Sequence, residues 1–171
     1  MSLRSFDVET TSAKGTRRLG ARLARVVQPG DLVLLSGDLG AGKTTFVQGF
    51  ASALGVEEQV TSPTFTILRP YACTASEALD RRIRTLLHAD VYRLEHTGEM
   101  LDVAIHELIE DGAVALVEWG ERAAPVIGRE ALVVVLNHAD GDDDRMVTIE
   151  VPPSWEGRAG LADLAGSPAG S

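Results

Sequence analysis

Gly37, Asp38, Leu39, Gly40, Ala41, Gly42, Lys43 and Thr44 follow one another without interruption, and their order fits the pattern G-x-x-x-x-G-K-[ST] in full. Each residue type has a physical task in that pattern. Glycine at Gly37, Gly40 and Gly42 admits backbone angles closed to other residues and lets the main chain approach an anion. The loop N–H groups then share one concavity, and the helix that must follow adds the positive end of its dipole. Lys43 brings a full charge toward the β- and γ-phosphates of a nucleotide. Thr44 brings a hydroxyl ligand for Mg2+, which demands oxygen ligands in tight octahedral geometry. With Thr45 next in the chain, residues 38–45 form the expected contact surface for a nucleoside triphosphate and its Mg2+. No guanine-reading Asn/Thr-Lys-x-Asp motif occurs, which favours ATP. The chemistry this implies is ATP binding and ATP hydrolysis. The carboxylate of Asp38 would repel nucleotide unless it faces away or touches metal-bound water, and both arrangements stay open.

Such a site needs carboxylates near the loop, at the C-terminal ends of neighbouring parallel strands. Asp90 follows Leu86-Leu87-His88-Ala89, and Glu118 follows Val114-Ala115-Leu116-Val117. Either acid suits a role in holding Mg2+ through water or in orienting the attacking water; the alternative for each is an ordinary acid at a strand end. Ser62-Pro63-Thr64 offers hydroxyls that could reach the γ-phosphate or its water, with Pro63 stiffening the approach. On spacing alone, a plain surface turn describes this segment better. His88, His96, His106 and His138 lack metal-ligand spacing with one another and read as structural or surface residues.

The elements that must position these residues follow from periodicity. Arg4 to Val8 alternates as a short strand, and the hydroxyls of Thr10, Thr11 and Ser12 can cap a helix running to about Val27. Leu32 to Leu35 and Ala113 to Val117 are continuous apolar runs, the signature of strands buried on both faces. Thr45 to Leu54 reads as a helix stopped by Gly55. Phe65 to Tyr71 and Leu86 to Val91 read as strands, and Gly98 to Glu110 as a helix. Leu132 to Leu136 and Arg145 to Val151 flank Asn137-His138-Ala139-Asp140-Gly141-Asp142-Asp143-Asp144, a terminal antiparallel hairpin with an acidic turn. Strand and helix alternate and then give way to strands. The predicted fold is therefore α/β, similar to the P-loop NTPases, with a central mostly parallel sheet, helices on both faces and an antiparallel C-terminal edge hairpin. A single domain over residues 1–152 accounts for one core, and residues 153–171, rich in Gly, Ala, Ser and Pro, predict a flexible tail.

Composition narrows the partners. The 171 residues carry a formal net charge of -9, which argues against DNA or bare RNA as a direct ligand, since phosphate neutralisation needs a clustered basic surface. The densest local cluster in sequence is Arg81, Arg82 and Arg84, read as a solvated face, with a docking patch or nucleic-acid contact as the alternatives. One cysteine, Cys73, excludes an internal disulfide and reads as a small apolar residue. No stretch approaches the length of a membrane span, and the start lacks a signal-peptide run. The expected location is cytoplasmic, with no membrane partner.

Four segments together are more specific than the loop alone: Gly37 to Thr45; Thr61-Ser62-Pro63-Thr64-Phe65-Thr66; His88-Ala89-Asp90-Val91-Tyr92-Arg93-Leu94; and Val117-Glu118-Trp119-Gly120-Glu121-Arg122. In order and approximate spacing, the chain resembles the TsaE (YjeE) family, bacterial ATPases of the tRNA threonylcarbamoyladenosine pathway. The resemblance implies that Glu118 is a metal-linked acid, that Asp90 belongs to the nucleotide site, and that Thr64 lies in a switch-like segment. It also implies that Trp119 packs near the site and that Thr11 lies beside the adenine. Such a protein would act on a complex of TsaB and TsaD homologues, touch tRNA only through that complex, and use ATP turnover to support the catalytic cycle while its own hydrolysis stays slow. Two other readings share the loop. One is a small-molecule kinase, for which Arg81, Arg82 and Arg84 are the lid candidates. The other is a non-hydrolysing nucleotide-dependent binding module. The stretch from Tyr71 to Leu87 is longer than is usual in the family, and neither the acidic turn nor the tail acquires a role from the sequence.

Overall fold

Leu32 to Leu35 and Val114 to Val117 are buried at every position. A strand can bury both of its alternating faces only with a layer of helices on each side, and the rest of the architecture meets that demand. The computed structural model describes residues 4–38, 40–61, 68–90, 98–118 and 130–166, with the backbone alone for 98–102. In chain order the elements are β1 (Arg4–Thr10), α1 (Ala13–Ala24), β2 (Leu32–Gly37), α2 (Lys43–Ala53), β3 (Leu68–Ala72), α3 (Ser76–Asp80), β4 (Thr85–Asp90), α4 (Gly98–Glu110), β5 (Val114–Glu118), β6 (Leu132–His138), β7 (Arg145–Val151), a 3-10 turn (Pro153–Trp155) and α5 (Leu161–Gly166).

The seven strands form one sheet in the order β1-β7-β6-β2-β5-β4-β3. The four central strands, β6, β2, β5 and β4, are parallel to one another. Both flanks are antiparallel, β6 with β7 and β7 with β1 on one side, β4 with β3 on the other. The expected α/β sheet, mostly parallel at its centre, is therefore present. The C-terminal hairpin does not form the edge, however. Its strand β6 joins the parallel centre beside β2, and β1 covers β7 from outside.

Residue parity sorts the core. Val33, Leu35, Leu86, Val114 and Leu116 pack with Leu19, Leu23, Phe46, Val47 and Phe50 of α1 and α2 on one face. Leu32, Leu34, Leu87, Ala115 and Val117 pack with Ile105 and Ile109 of α4 on the other. On the first face, α1 and α2 meet backbone to backbone. A Cβ on Gly20 would lie 2.2 Å from the Phe46 carbonyl oxygen, and one on Gly49 would lie 2.0 Å from the Arg17 carbonyl oxygen. No side chain fits at either crossing point, so the two helices are locked at close range. The α1 cap matches expectation: Ser12 Oγ accepts from the Gly15 amide at 2.9 Å, one of the four amides a helix start leaves without an internal partner.

Two sequence-based expectations are corrected. Residues 153–166 are not a flexible tail. Trp155 and Leu164 are 2% and 1% exposed and belong to the main core. Arg158 grips the Asp31 carboxylate with both guanidinium NH2 groups, one of them at 3.0 Å, and lies over the Trp155 ring at 4.0 Å. Small residues dominate the segment's composition, yet three well-placed large ones anchor it. The second correction concerns Arg81, which is neither a solvated residue nor a lid. Its guanidinium donates to the Val27 carbonyl and, at 3.1 Å, to the Ala24 carbonyl, satisfying acceptors left over at the C-terminal end of α1. Burial lowers its pKa from the ordinary value, with the neighbouring Glu77 opposing. Cys73 is buried, and burial raises its thiol pKa to about 11, so it stays a neutral apolar packing group. Among the described residues no helix is long and apolar enough to cross a membrane.

If the C-terminal segment is part of the core, Trp155→Ala should destabilise the protein by about 3–5 kcal/mol, the range for truncating a buried aromatic. Urea unfolding followed by far-UV circular dichroism measures this directly. An unchanged midpoint would show that the segment contributes nothing.

Candidate functional site

The loop between β2 and α2 owes its path to its glycines. Gly37 ends β2 beside β6, where a Cβ would fall 2.6 Å from the Leu136 carbonyl oxygen, and its φ is +151°. Gly40 and Gly42 also hold positive φ values, 79° and 97°, which L side chains rarely adopt. Inside the loop the Ala41 amide donates to the Asp38 carbonyl at 3.0 Å. The first helical bond of α2 runs from the Phe46 amide to the Gly42 carbonyl at 2.9 Å. That leaves the amides of Gly42, Lys43, Thr44 and Thr45. The N-cap residue, Gly42, has no side chain to offer them, and among the described residues none of the four donates to a protein acceptor. Four amides at the positive end of a helix dipole form an anion site.

Lys43 is held at the same place, its Nζ donating to the Gly37 carbonyl at 2.7 Å. The side chain therefore folds back over the loop. Asp38 is exposed, and its carbonyl serves the loop turn. Thr44 and Thr45, both partly buried, occupy the first turn of α2.

Parallel pairing brings the two expected acids to the same end of the sheet. Asp90 and Glu118 are register partners at the C-terminal ends of β4 and β5, and Glu118 is paired with Leu35, two residues before Gly37. By alternation both lie on the face of Leu86 and Leu116, the face that α2 covers. Glu118 is only 5% exposed, and its Oε1 has no hydrogen-bond partner among the described residues. An ionised carboxylate buried without a partner is costly, so this oxygen fits a cation, or water held by one, next to the loop. Thr44 and Glu118 carry oxygen donors of the hard kind that Mg2+ takes.

Two further residues carry weight that sequence reasoning missed. His88 is fully buried, neither ring nitrogen has a hydrogen-bond partner among the described residues, and Nε2 lies 3.7 Å from Glu118 Oε1. Its position two residues before Asp90 on the same strand face was the available signal. Arg145, the first residue of β7, has four bonds to carbonyls. Its Nε donates to Ala41 at 3.0 Å and one NH2 group to Gly40 at 3.2 Å. The other NH2 group donates to Asp142 and Asp144 at 2.8 and 2.7 Å. The acidic turn thereby gains a structural role, since its carbonyls and Arg145 strap the phosphate-binding loop. Nothing local in the sequence points to a contact spanning 104 residues.

Beside the strap lies an open cleft of about 140 Å3, lined by Ala13, Thr16, Gly40, Gly42, Thr45, Asp143 and Arg145. Thr11 is exposed, two residues before Ala13, and is not among the residues lining this cleft. The structure thus places Lys43, Thr44 and Thr45 at the start of α2, with Glu118 one strand and Asp90 two strands from β2 at the same end of the sheet. Leu39, Thr64 and Trp119 lie outside the described residues.

Residues 10–147 match the model of the family described as threonylcarbamoyl adenosine biosynthesis protein TsaE. Among curated proteins, the tRNA threonylcarbamoyladenosine biosynthesis protein TsaE of Bacillus subtilis is 39% identical over 85% of this chain and 85% of its own length. The protein of the same name from Treponema pallidum is 38% identical over 81% of this chain and 95% of its own length. The Streptomyces coelicolor protein of that name is 41% identical over 74% and 81%. Among solved structures, the crystal structure of Bacillus subtilis YdiB superposes with a TM-score of 0.72 at 32% identity, covering 96% of each chain. The family match spans most of the sheet and both helices that frame the loop, and the solved structure extends the likeness to nearly every residue: this chain belongs to the TsaE family.

Proposed function

We propose that this protein binds ATP with Mg2+ at the β2–α2 loop, hydrolyses it, and thereby supports threonylcarbamoylation of tRNA adenosine by a TsaB–TsaD complex without performing the transfer itself. One observation carries the reading: four amides and Lys43 sit at one end of α2, and a buried carboxylate oxygen with no hydrogen-bond partner among the described residues stands one strand away at Glu118. Polyanion and cation are both called for at the same edge of the sheet. Family membership supports the pathway assignment, because the curated relatives are named for tRNA threonylcarbamoyladenosine biosynthesis.

Each residue then has a task. The amides of Gly42, Lys43, Thr44 and Thr45 donate to the phosphate oxygens, and Asp38 to Ala41 shape the loop around them. Lys43 exchanges the Gly37 carbonyl for phosphate, trading a neutral acceptor for a charged one. Thr44 supplies its hydroxyl to Mg2+, and Glu118 holds the ion directly or through water. When bound, the ion neutralises charge developing on the β- and γ-oxygens. Asp90 and Glu118 orient the attacking water, with Thr64 and Trp119 assigned to the same site through the family resemblance. The cleft beside Arg145 receives the nucleoside, near Thr11. With four of its five N–H groups committed to carbonyls, the Arg145 guanidinium is a fixed plane suited to stacking on a purine. The kinase alternative loses one lid candidate, since Arg81 is committed to the end of α1.

ATP turnover should be slow for the isolated protein and rise when the cognate TsaB–TsaD pair is added. Glu118→Gln should lower stimulated turnover by about 100-fold, the scale of losing a positioned acid-base group, while ATP binding persists. Phosphate release assays with and without the pair test this. Absence of stimulation would count against the partner reading, and unchanged turnover in Glu118→Gln would make the protein a non-hydrolysing switch. Separately, Thr44→Ala should weaken ATP affinity about tenfold, or 1.4 kcal/mol, with Mg2+ present and much less in EDTA. Equal losses in paired titrations would remove Thr44 from the metal site.

A further inference from the structure

The outer face of α1 has no role in the nucleotide site, yet its charge is unlike that of the rest of the chain. Lys14, Arg17, Arg18, Arg22 and Arg25 are five of the 16 Lys and Arg residues in a chain with 25 Asp and Glu, and no carboxylate falls between Ala13 and Arg25. Their spacing is helical. At 100° per residue they occupy an arc of about 140° and run about 16 Å along the axis. The opposite arc, Thr16, Leu19, Gly20 and Leu23, is buried. Lys14, Arg17, Arg18 and Arg25 are exposed, while Arg22 is half-buried and donates to the Asp163 carbonyl of α5. Among the described residues no ion pair joins Lys14, Arg17 or Arg25 to a carboxylate of the chain.

We infer that this stripe docks on an acidic surface of a partner protein. The inference rests on the partner-dependent reading above and gives it a location. Four of the five cations are arginines, whose planar fork pairs with carboxylates in two-point contacts and is enriched at protein interfaces. On a protein of net charge -9, one isolated cationic stripe also fixes the orientation of approach, because an acidic partner is repelled elsewhere. Nucleic acid fits less well. Asp143 lines the same cleft as Ala13, so the acidic turn with Asp140, Asp142 and Asp144 stands beside the first turn of α1. A continuous phosphate backbone laid along the stripe would run toward those carboxylates, whereas a protein can place discrete acids against the arginines alone. The stripe also begins at the rim of the nucleotide cleft, through Ala13 and Thr16, and its helix is locked to α2 at Gly20 and Gly49. A partner seated there would contact the element that frames the phosphate-binding loop.

The test compares wild-type protein with K14E/R17E/R25E, in binding to the cognate TsaB–TsaD pair and to tRNA alone, at low and at physiological salt. ATP affinity serves as the folding control, and K14Q/R17Q/R25Q separates loss of attraction from added repulsion. The expected result is salt-sensitive binding of wild type to the pair, weakened at least about tenfold by charge reversal and less by neutralisation, with ATP affinity unchanged. If wild type binds the pair and the reversed variant binds equally well, the stripe is not the docking surface while the partner reading stands. If wild type does not bind the pair at all, both fall. If wild type binds tRNA alone and charge reversal abolishes that, the ligand is RNA and the protein-docking inference is overturned.

Discussion

Main-chain amides at the start of a helix must find acceptors, and at the start of α2 the described residues supply none for Gly42, Lys43, Thr44 and Thr45. The rest of the structure is arranged around this constraint. An N-cap serine or aspartate would satisfy some of the four and stabilise the helix by about 1 kcal/mol; the chain places glycine there instead. On the proposed function, what is forgone in local stability serves anion binding, with Lys43 folded over the same loop.

A loop of this kind needs a rigid frame, and three long-range features provide one. The parallel centre of the sheet sets Gly37, Asp90 and Glu118 on one edge through register alone. The glycine crossing of α1 and α2 fixes the helix that the loop must enter. Arg145 reaches from the far side of the β6–β7 turn and binds the Gly40 and Ala41 carbonyls, so those oxygens are held by the guanidinium. The same edge of the sheet buries His88 against Glu118, excluding water from behind the carboxylate and strengthening its interaction with any cation in front.

Much of this was legible in the chain itself, for definite reasons. The phosphate-binding loop is contiguous, so its spacing is visible. The strands β2 and β5 are unbroken apolar runs, and a site acid at the end of such a run needs no structure to be noticed, as with Glu118. Ser12 announces α1 through its cap. What escaped depends on contacts distant in sequence. Arg145 directly follows four aspartates, and nothing local distinguishes it until its bonds to the loop are seen. Trp155 and Leu164 are too sparse to show a period, yet each fills a core position. Arg81 reads as one of a surface trio, whereas its position relative to the end of α1 makes it a cap. The edge position of β1 is invisible because an antiparallel strand can pair with any exposed neighbour. The basic stripe of α1 escaped because local charge density picked out adjacent arginines, and the stripe is dense only when the helix is wound.

The central claim is that the β2–α2 loop binds a polyphosphate through amides and one ammonium. Isothermal titration calorimetry of the full chain with ATP and Mg2+, repeated with Lys43→Ala, tests it most directly. The account predicts saturable binding by the wild type, weakened by roughly tenfold or more when the ammonium is removed, as expected for a charge-assisted bond worth about 1.5–3 kcal/mol. No heat of binding from well-folded wild-type protein, or equal affinity in the two proteins, would contradict it.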